Sequence, residues 1–388
     1  MLIRHAQALL DRSQQQFLAD VDDAAAAAGF RTAQANEFTN LADVPLQSWH
    51  YDVDSVVTDA AVLAGAKQRV GQPVTIVHLR LQYQLRGIDA VPSSHDIWWT
   101  FVTRHGHVRI AGSDDVSQSG GASWQGPWAF GPLQVRRGTA CLVLVHPAQA
   151  EAMAALVPAV DAAVRAVTSV VGTGWAQRVA VIVPSSDSEL AQLVDGSAAV
   201  SLSDVSSETV FDVIGTTGAP TGARVLINPD VLGQLTEVGR RIVLQHEITH
   251  VAMAAVTGLS TPRWLAEGFA EYVGNTGSGQ PVTTAAADLR AEVRQGALPT
   301  ELPTDAELDP GYAGAPQAYQ AAWLACRLIA SRVGQDGLLR FYRVVGESIE
   351  PVDQAVADAL HTVVHEPSTG ATSAFIAQWR AYLTAQLG

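Results

Sequence analysis

The pentapeptide His246-Glu247-Ile248-Thr249-His250, set inside RRIVLQHEITHVAMAAV, restricts the fold more than any other stretch of the chain. On an α-helix, positions i and i+4 share a face, so both imidazoles project toward one point. RIVL before the motif and VAMAAV after it make this helix apolar on several sides, so it is expected to be buried. Buried imidazoles and a buried carboxylate need partners, because leaving them unpaired in an apolar interior is costly. A metal ion suits two imidazoles on one rigid turn, and neutral imidazole is a good zinc ligand. Glu247 lies beside the first histidine, where it can take a proton from a metal-bound water without ligating the ion. The fold must therefore bring a further ligand to this turn.

The segment TPRWLAEGFAEYV supplies one. Pro262 suits a helix start. Trp264 and Leu265 can pack the new helix on the first, which leaves Glu267 to face the metal and Glu271 one turn further on the same face. One carboxylate can ligate, and the other can accept the distal N–H of a histidine and set its tautomer.

HEITH followed by WLAEGFAEY resembles the gluzincin metallopeptidases, the group of thermolysin and aminopeptidase N; the close match spans 240–275 and a looser one runs to about 345. The resemblance implies that His246, His250 and Glu267 bind Zn(2+), that Glu247 is the general base, and that Glu271 bonds the first histidine. Tyr319, in PQAYQAAWLACRLIASRVG, resembles the tyrosine that steadies the oxyanion in aminopeptidase N relatives. Ala321 and Ala322 replace the lysine and glycine of that segment, and Tyr312 is the neighbouring competitor. The GAMEN segment that anchors a free amino terminus is absent, so aminopeptidase activity does not follow. Thermolysin's edge-strand motif is also absent, and VLINP is the candidate for that part, since an extended substrate can add to a sheet edge. These features predict a zinc-dependent peptidase acting on a peptide or protein substrate. The rival reading is a non-catalytic zinc-containing binding protein, a pseudo-protease whose N-terminal domain binds a ligand or partner.

At 388 residues the chain is expected to hold two domains and to be α+β. Residues 1–146 begin with a helix at 2–22 and an Ala/Gly break at 24–29. Long β-rich segments follow, of which VHLRLQYQLR alternates as a half-buried antiparallel strand should. This pattern resembles the cone-shaped α+β fold of the nuclear transport factor 2 and SnoaL-like group. Residues 147–388 divide into a strand-containing part (147–232), the zinc helices (233–275) and a helical tail (276–388). Helices are expected at 148–171, 233–257, 284–295 and 316–346, and FIAQWRAYLTAQL closes the chain as another. The whole chain resembles a set of predicted actinobacterial peptidases with this two-part layout.

Charge and composition narrow the partners. Lys+Arg number 24 against 38 Asp+Glu, a net charge of −14 that repels phosphate backbones and anionic lipid, so nucleic acid is not an expected partner. No window reaches about 18 uninterrupted apolar residues, so no membrane insertion is expected. The start, MLIRHAQALLDRSQQQFLADVD, lacks a signal peptide's apolar stretch; the chain reads as soluble, with an extracytoplasmic address behind a removed leader or anchor favoured over a cytoplasmic one. Cys141 and Cys326 sit in apolar runs, which excludes a disulfide scaffold and a cysteine zinc site and leaves a single bridge open. His361 and His365 share the i, i+4 spacing but lack an intervening glutamate, so no second metal site is expected. His105-Gly106-His107 reads as a hairpin turn and GTTGAPTG as a flexible loop.

Overall fold

In the computed structural model, which describes residues 1–151, 153–195, 207–212 and 221–388, the alternating segments pair into a four-stranded antiparallel sheet. Its strands are β1 (Leu46–Val56), β2 (Val74–Leu85), β3 (Ser93–Arg104) and β4 (His107–Gly112), in that order. The period of two sorts the side chains: Leu79, Leu81 and Tyr83 are buried together with Trp49, Tyr51, Ile97 and Trp99. The opposite face pairs charges across strands, with Arg80 between Asp52 and Asp96 in register. β3 turns into β4 through His105 (φ 51°) and Gly106 (φ 79°), the two positive angles that a tight hairpin turn needs.

Helices α1 (Leu2–Leu10), α2 (Gln14–Ala19), α3 (Ala28–Asn40) and α4 (Ala60–Val70) accompany this sheet. The single helix expected over 2–22 is instead broken at Arg12, whose φ is 57°. α3 starts at Ala28, within the expected break at 24–29, and is a helix that sequence reasoning did not foresee. It is polar, and its hold is tertiary, as when Asn40 Nδ2 donates to the Trp128 carbonyl at 2.8 Å. α4 carries local signals of its own: Asp59 caps it by accepting from Ala61 and Val62 N–H, and Gly71 at φ 76° ends it.

A second, mixed sheet has the order β5 (Gln134–Arg137), β6 (Cys141–Val145), β7 (Val179–Val183), β9 (Thr221–Ile227), β8 (Ser207–Asp212). β5 is antiparallel to β6, whereas β6, β7 and β9 are parallel. Every residue of CLVLV and VAVIV is buried, as parallel strands with both faces covered require. Helices α5 (Leu156–Val171) and α6 (Asp187–Asp195) belong to this stretch of chain. α5 starts later than the expected 148, after a run of turns.

VLINP is not an edge. β9 lies between β7 and β8, and β8, which sequence reasoning passed over, is the outer strand among the described residues. Most of GTTGAPTG lies outside the described residues; its last two, Thr221 and Gly222, open β9. The second sheet begins at Gln134, ahead of residue 147. The chain forms two compact units that interleave in sequence: Met1–Val157, Val179–Ser203 and Val210–Pro229 in one, Pro158–Arg178, Asp204–Thr209 and Asp230–Gly388 in the other. Within the first, Arg224 of β9 forms a bidentate pair with Asp89 at 2.7 and 2.8 Å.

The rest of the chain is helical: α7 (Pro229–Gln234), α8 (Glu237–Met253), α9 (Arg263–Asn275), α10 (Val282–Ala285), α11 (Ala287–Arg294), α12 (Ala315–Gly346), α13 (Val352–Thr362) and α14 (Ala371–Leu387). The helix expected over 233–257 is split, because Thr236 caps α8 by accepting from the Gly239 N–H at 3.1 Å. α12 breaks at Gly334 (φ 77°, ψ 170°), a conformation that only glycine adopts without strain. Close approach sets α9 against its neighbours. A Cβ at Gly268 would collide with the Ala322 carbonyl of α12, and one at Gly274 would come within 2.9 Å of the Ile242 carbonyl of α8.

α13 ends at Thr362 and His365 has φ 66°, so His361 and His365 do not share a helical face. Both cysteines are buried and no disulfide joins them. Among the described residues no helix is long and apolar enough to cross a membrane. Antiparallel and mixed sheets together with a helical stretch of chain make the protein α+β.

Candidate metal centre

α8 presents its motif from a helix whose other faces are committed to the core. Leu244, Ile248 and Met253 are buried, and Thr249 back-bonds to the Gln245 carbonyl at 2.6 Å. α9 is buried through Trp264, Leu265, Phe269 and Val273, which turns Glu267 and Glu271 to the remaining side.

His246 Nε2 and His250 Nε2 are 3.0 Å apart, and Glu267 Oε2 lies 3.2 Å from the first and 3.4 Å from the second. These residues form a group of potential ligands with its donor atoms gathered together. A tetrahedral zinc ion with bonds of about 2.0–2.1 Å holds its donors roughly 3.3–3.4 Å apart, so the triangle of donors fits that ion. The side chains of His246, His250 and Glu267 are 12, 20 and 14% exposed, recessed but reachable by a further ligand.

The electrostatics favour a cation here. Burial works against charge on His246, but its bonds to Glu267 and Glu271 outweigh that and raise its pKa well above the usual imidazole range. Burial likewise works against the Glu267 anion, and the two histidines overcome it and hold the carboxyl far below its usual range.

Glu271 Oε1 lies 3.3 Å from His246 Nδ1. Donation from Nδ1–H to that oxygen leaves the Nε2 lone pair free to ligate. Asn275 holds the carboxylate in turn, donating from Nδ2 to Glu271 Oε2 at 3.0 Å. Glu271→Ala is accordingly expected to keep the fold and weaken zinc binding by about 10–100-fold, read by competition with a chelating dye; wild-type affinity in the variant would deny Glu271 this role.

Glu247 is buried, and both its oxygens are engaged from β8. Ser207 Oγ donates to Oε1 at 2.8 Å and Thr209 Oγ1 donates to Oε2 at 2.6 Å. Between them in sequence stands Glu208, whose carboxyl is pushed up to about 7 by burial first and then by the charges of Glu247 and Glu267.

The Tyr319 ring lies 6.4 Å from the His246 ring, centroid to centroid. Burial, aided by the Glu267 charge, raises its phenol above the usual range against an opposing bond from Arg263. Arg263 Nε is 3.8 Å from Glu267 Oε1, one turn earlier on α9. Tyr312 is 48% exposed, in the turn before α12.

Sequence reasoning missed Arg263, Asn275, Ser207, Glu208 and Thr209. The first two were readable: Arg263 stands four residues before Glu267 and Asn275 four after Glu271, on the same face. The β8 residues, in SETVFD, carried no polar–apolar alternation to mark a strand.

No protein-family model matches the chain, and none of the curated proteins matches it. Among solved structures it is similar to a mutant two-domain M1 zinc metallopeptidase bound to L-arginine, at 16% identity and a TM-score of 0.37 over 72% of this chain and 58% of that one. A mutant M1 zinc metallopeptidase from Deinococcus radiodurans, bound to a Tyr-Ser-Ala substrate, is similar at 15% identity and a TM-score of 0.34 over 79% and 60%. The chain spans less than two thirds of the length of these proteins.

Proposed function

We propose that the chain is a zinc-dependent peptidase, with the ion held by His246, His250 and Glu267. The observation that carries this reading is the 3.0–3.4 Å triangle of two imidazole nitrogens and a carboxylate oxygen. Bound there, zinc would supply a Lewis acid that lowers the pKa of water to about 7 and polarises a scissile carbonyl.

The protein groups do the rest. Glu247 takes a proton from the attacking water at a carboxylate oxygen and passes it to the leaving amine. Ser207 and Thr209 orient that carboxylate, which has about four acceptor positions and keeps some for water. Tyr319 donates its O–H to the oxyanion of the substrate; its raised pKa keeps the phenol protonated. β8, the outer strand among the described residues, would offer an edge to which an extended peptide can add. In the same proposal the four-stranded sheet with its helices is a nuclear transport factor 2-like module.

A non-catalytic zinc-containing binding protein is the second reading, and the observation favouring it is the double hydroxyl clamp on Glu247. Incubating the zinc-loaded protein with a mixed peptide set and counting new amino termini separates the two. Cleavage abolished by a chelator and restored by zinc is expected; full zinc occupancy without cleavage selects the binding protein. Tyr319→Phe is expected to cut turnover by roughly 10²–10³ with zinc content unchanged, and undiminished turnover would remove Tyr319 from the mechanism.

A further inference from the structure

A cavity of about 240 Å³ lies in the first unit, lined by none of the candidate metal-centre residues, and is walled by α3, the first sheet and the segment around Trp124–Ala129. We propose that it binds a small organic ammonium ion.

The walls are aromatic and inclined to one another. Trp49 meets Tyr51 at 79° and Trp128 at 59°, Tyr51 meets Trp99 at 50°, and Trp124 meets Trp128 at 73°. Rings set at such angles form a cage around a space. A stack would fill that space with its own faces.

Two of the indoles have their polar edges engaged by the protein. Trp49 Nε1 donates to Tyr51 Oη at 2.7 Å, and Trp128 Nε1 donates to Glu37 Oε1 at 3.0 Å. With those N–H groups engaged, the surface offered by these indoles is dominated by the electron-rich faces that attract a cation.

Glu37 is the one charged residue in the lining. Gln34 Nε2 donates to its Oε2 at 2.7 Å, so each oxygen accepts one bond and keeps capacity for another partner. Burial pushes this carboxyl up to about 7, and a bound cation would relieve the cost of ionising it. The bases near the cage leave Glu37 to an incoming cation: His5 packs against Tyr51 and Trp99, and burial drops its imidazole to about 4, which keeps it neutral, while Arg224, over the ring of Tyr83, is paired with Asp89. A carboxylate hydrogen-bonded by the neutral Gln34 and Trp128, with π faces around it, recognises a quaternary or tertiary ammonium group rather than an anion or a neutral apolar body.

The test titrates the full chain with choline, with tetramethylammonium, and with 3,3-dimethylbutan-1-ol, the neutral isostere of choline, following tryptophan fluorescence and heat. Saturable binding of both cations is expected, with the alcohol weaker by roughly tenfold or more. Glu37→Gln is expected to weaken choline by a similar factor and leave the alcohol unchanged. The partly exposed Trp124, changed to Leu, serves as the second variant if Glu37→Gln unfolds; it is expected to weaken both cations while melting like the wild type. Equal binding of choline and the alcohol, or no saturable binding of either cation at millimolar concentration, would overturn the proposal. Zinc occupancy is expected to stay the same in both variants, so this test and that of the peptidase reading fail separately.

Discussion

Glu247→Gln is expected to keep its zinc and to lose about 10²–10⁴ of the rate of peptide hydrolysis, the usual worth of one positioned general base. The amide has nearly the shape of the carboxylate but no basic oxygen. Its surroundings tolerate the change. Ser207 and Thr209 carry hydroxyls that both donate and accept, so one can go on donating to the amide oxygen while the other turns to accept from the amide nitrogen. The clamp therefore survives, and the melting temperature is expected to move little. This separation makes the variant informative: a loss of rate with metal and stability intact isolates proton transfer. Undiminished turnover on any peptide the wild type cleaves would remove Glu247 from the chemistry. The clamp itself can be probed with Thr209→Val. If Thr209 orients the base, kcat falls while KM and zinc content hold.

What the sequence made legible was local and periodic. The i, i+4 spacing put two imidazoles on one turn, and their Nε2 atoms are 3.0 Å apart. VHLRLQYQLR alternates and forms a strand with Leu79, Leu81 and Tyr83 buried. The positive-φ pair at His105 and Gly106 was readable as a turn for the same reason, since glycine marks the angle.

What escaped depended on partners far away in the chain. α3 has no continuous apolar stripe, and it is held by bonds such as those linking Glu37 and Asn40 to Trp128. The outer position of β8 is a property of strand order, which crosses over in sequence, so no local pattern announces that β9 is interior. The start of the second sheet at Gln134 is hidden likewise: CLVLV reads as a buried strand, but only its parallel pairing with VAVIV says which sheet it joins. The clamp on Glu247 combines both difficulties, for its hydroxyls come from β8, about forty residues earlier.

His246→Ala is expected to lose zinc by more than the roughly 10–100-fold assigned to an outer partner such as Glu271, because it removes a ligand outright. Two donors would remain, His250 Nε2 and Glu267 Oε2, 3.4 Å apart, and two protein ligands are fewer than the three that an open tetrahedral site uses. The change would also strand Glu271, whose Oε1 faces His246 Nδ1 at 3.3 Å and would then face the site without an imidazole to bond. The metal-free variant is nevertheless expected to fold, since α8 is held through Leu244, Ile248 and Met253, which the substitution leaves in place. Thermal melting then gives a readout independent of catalysis. Free zinc at a thousand times its dissociation constant stabilises a native state by about 4 kcal/mol, so the wild type is expected to melt several degrees higher with zinc than with chelator. His246→Ala is expected to show no such difference, whereas His361→Ala, at the end of α13 and bonded to the Glu366 carbonyl, should behave as the wild type. Stoichiometric zinc retained in His246→Ala would mean that the metal sits elsewhere, and the peptidase reading would fall with the site. If zinc is lost in His246→Ala and Glu247→Gln changes no measurable reaction, the same three ligands would be holding a structural ion, and the non-catalytic binding protein would be the reading left standing.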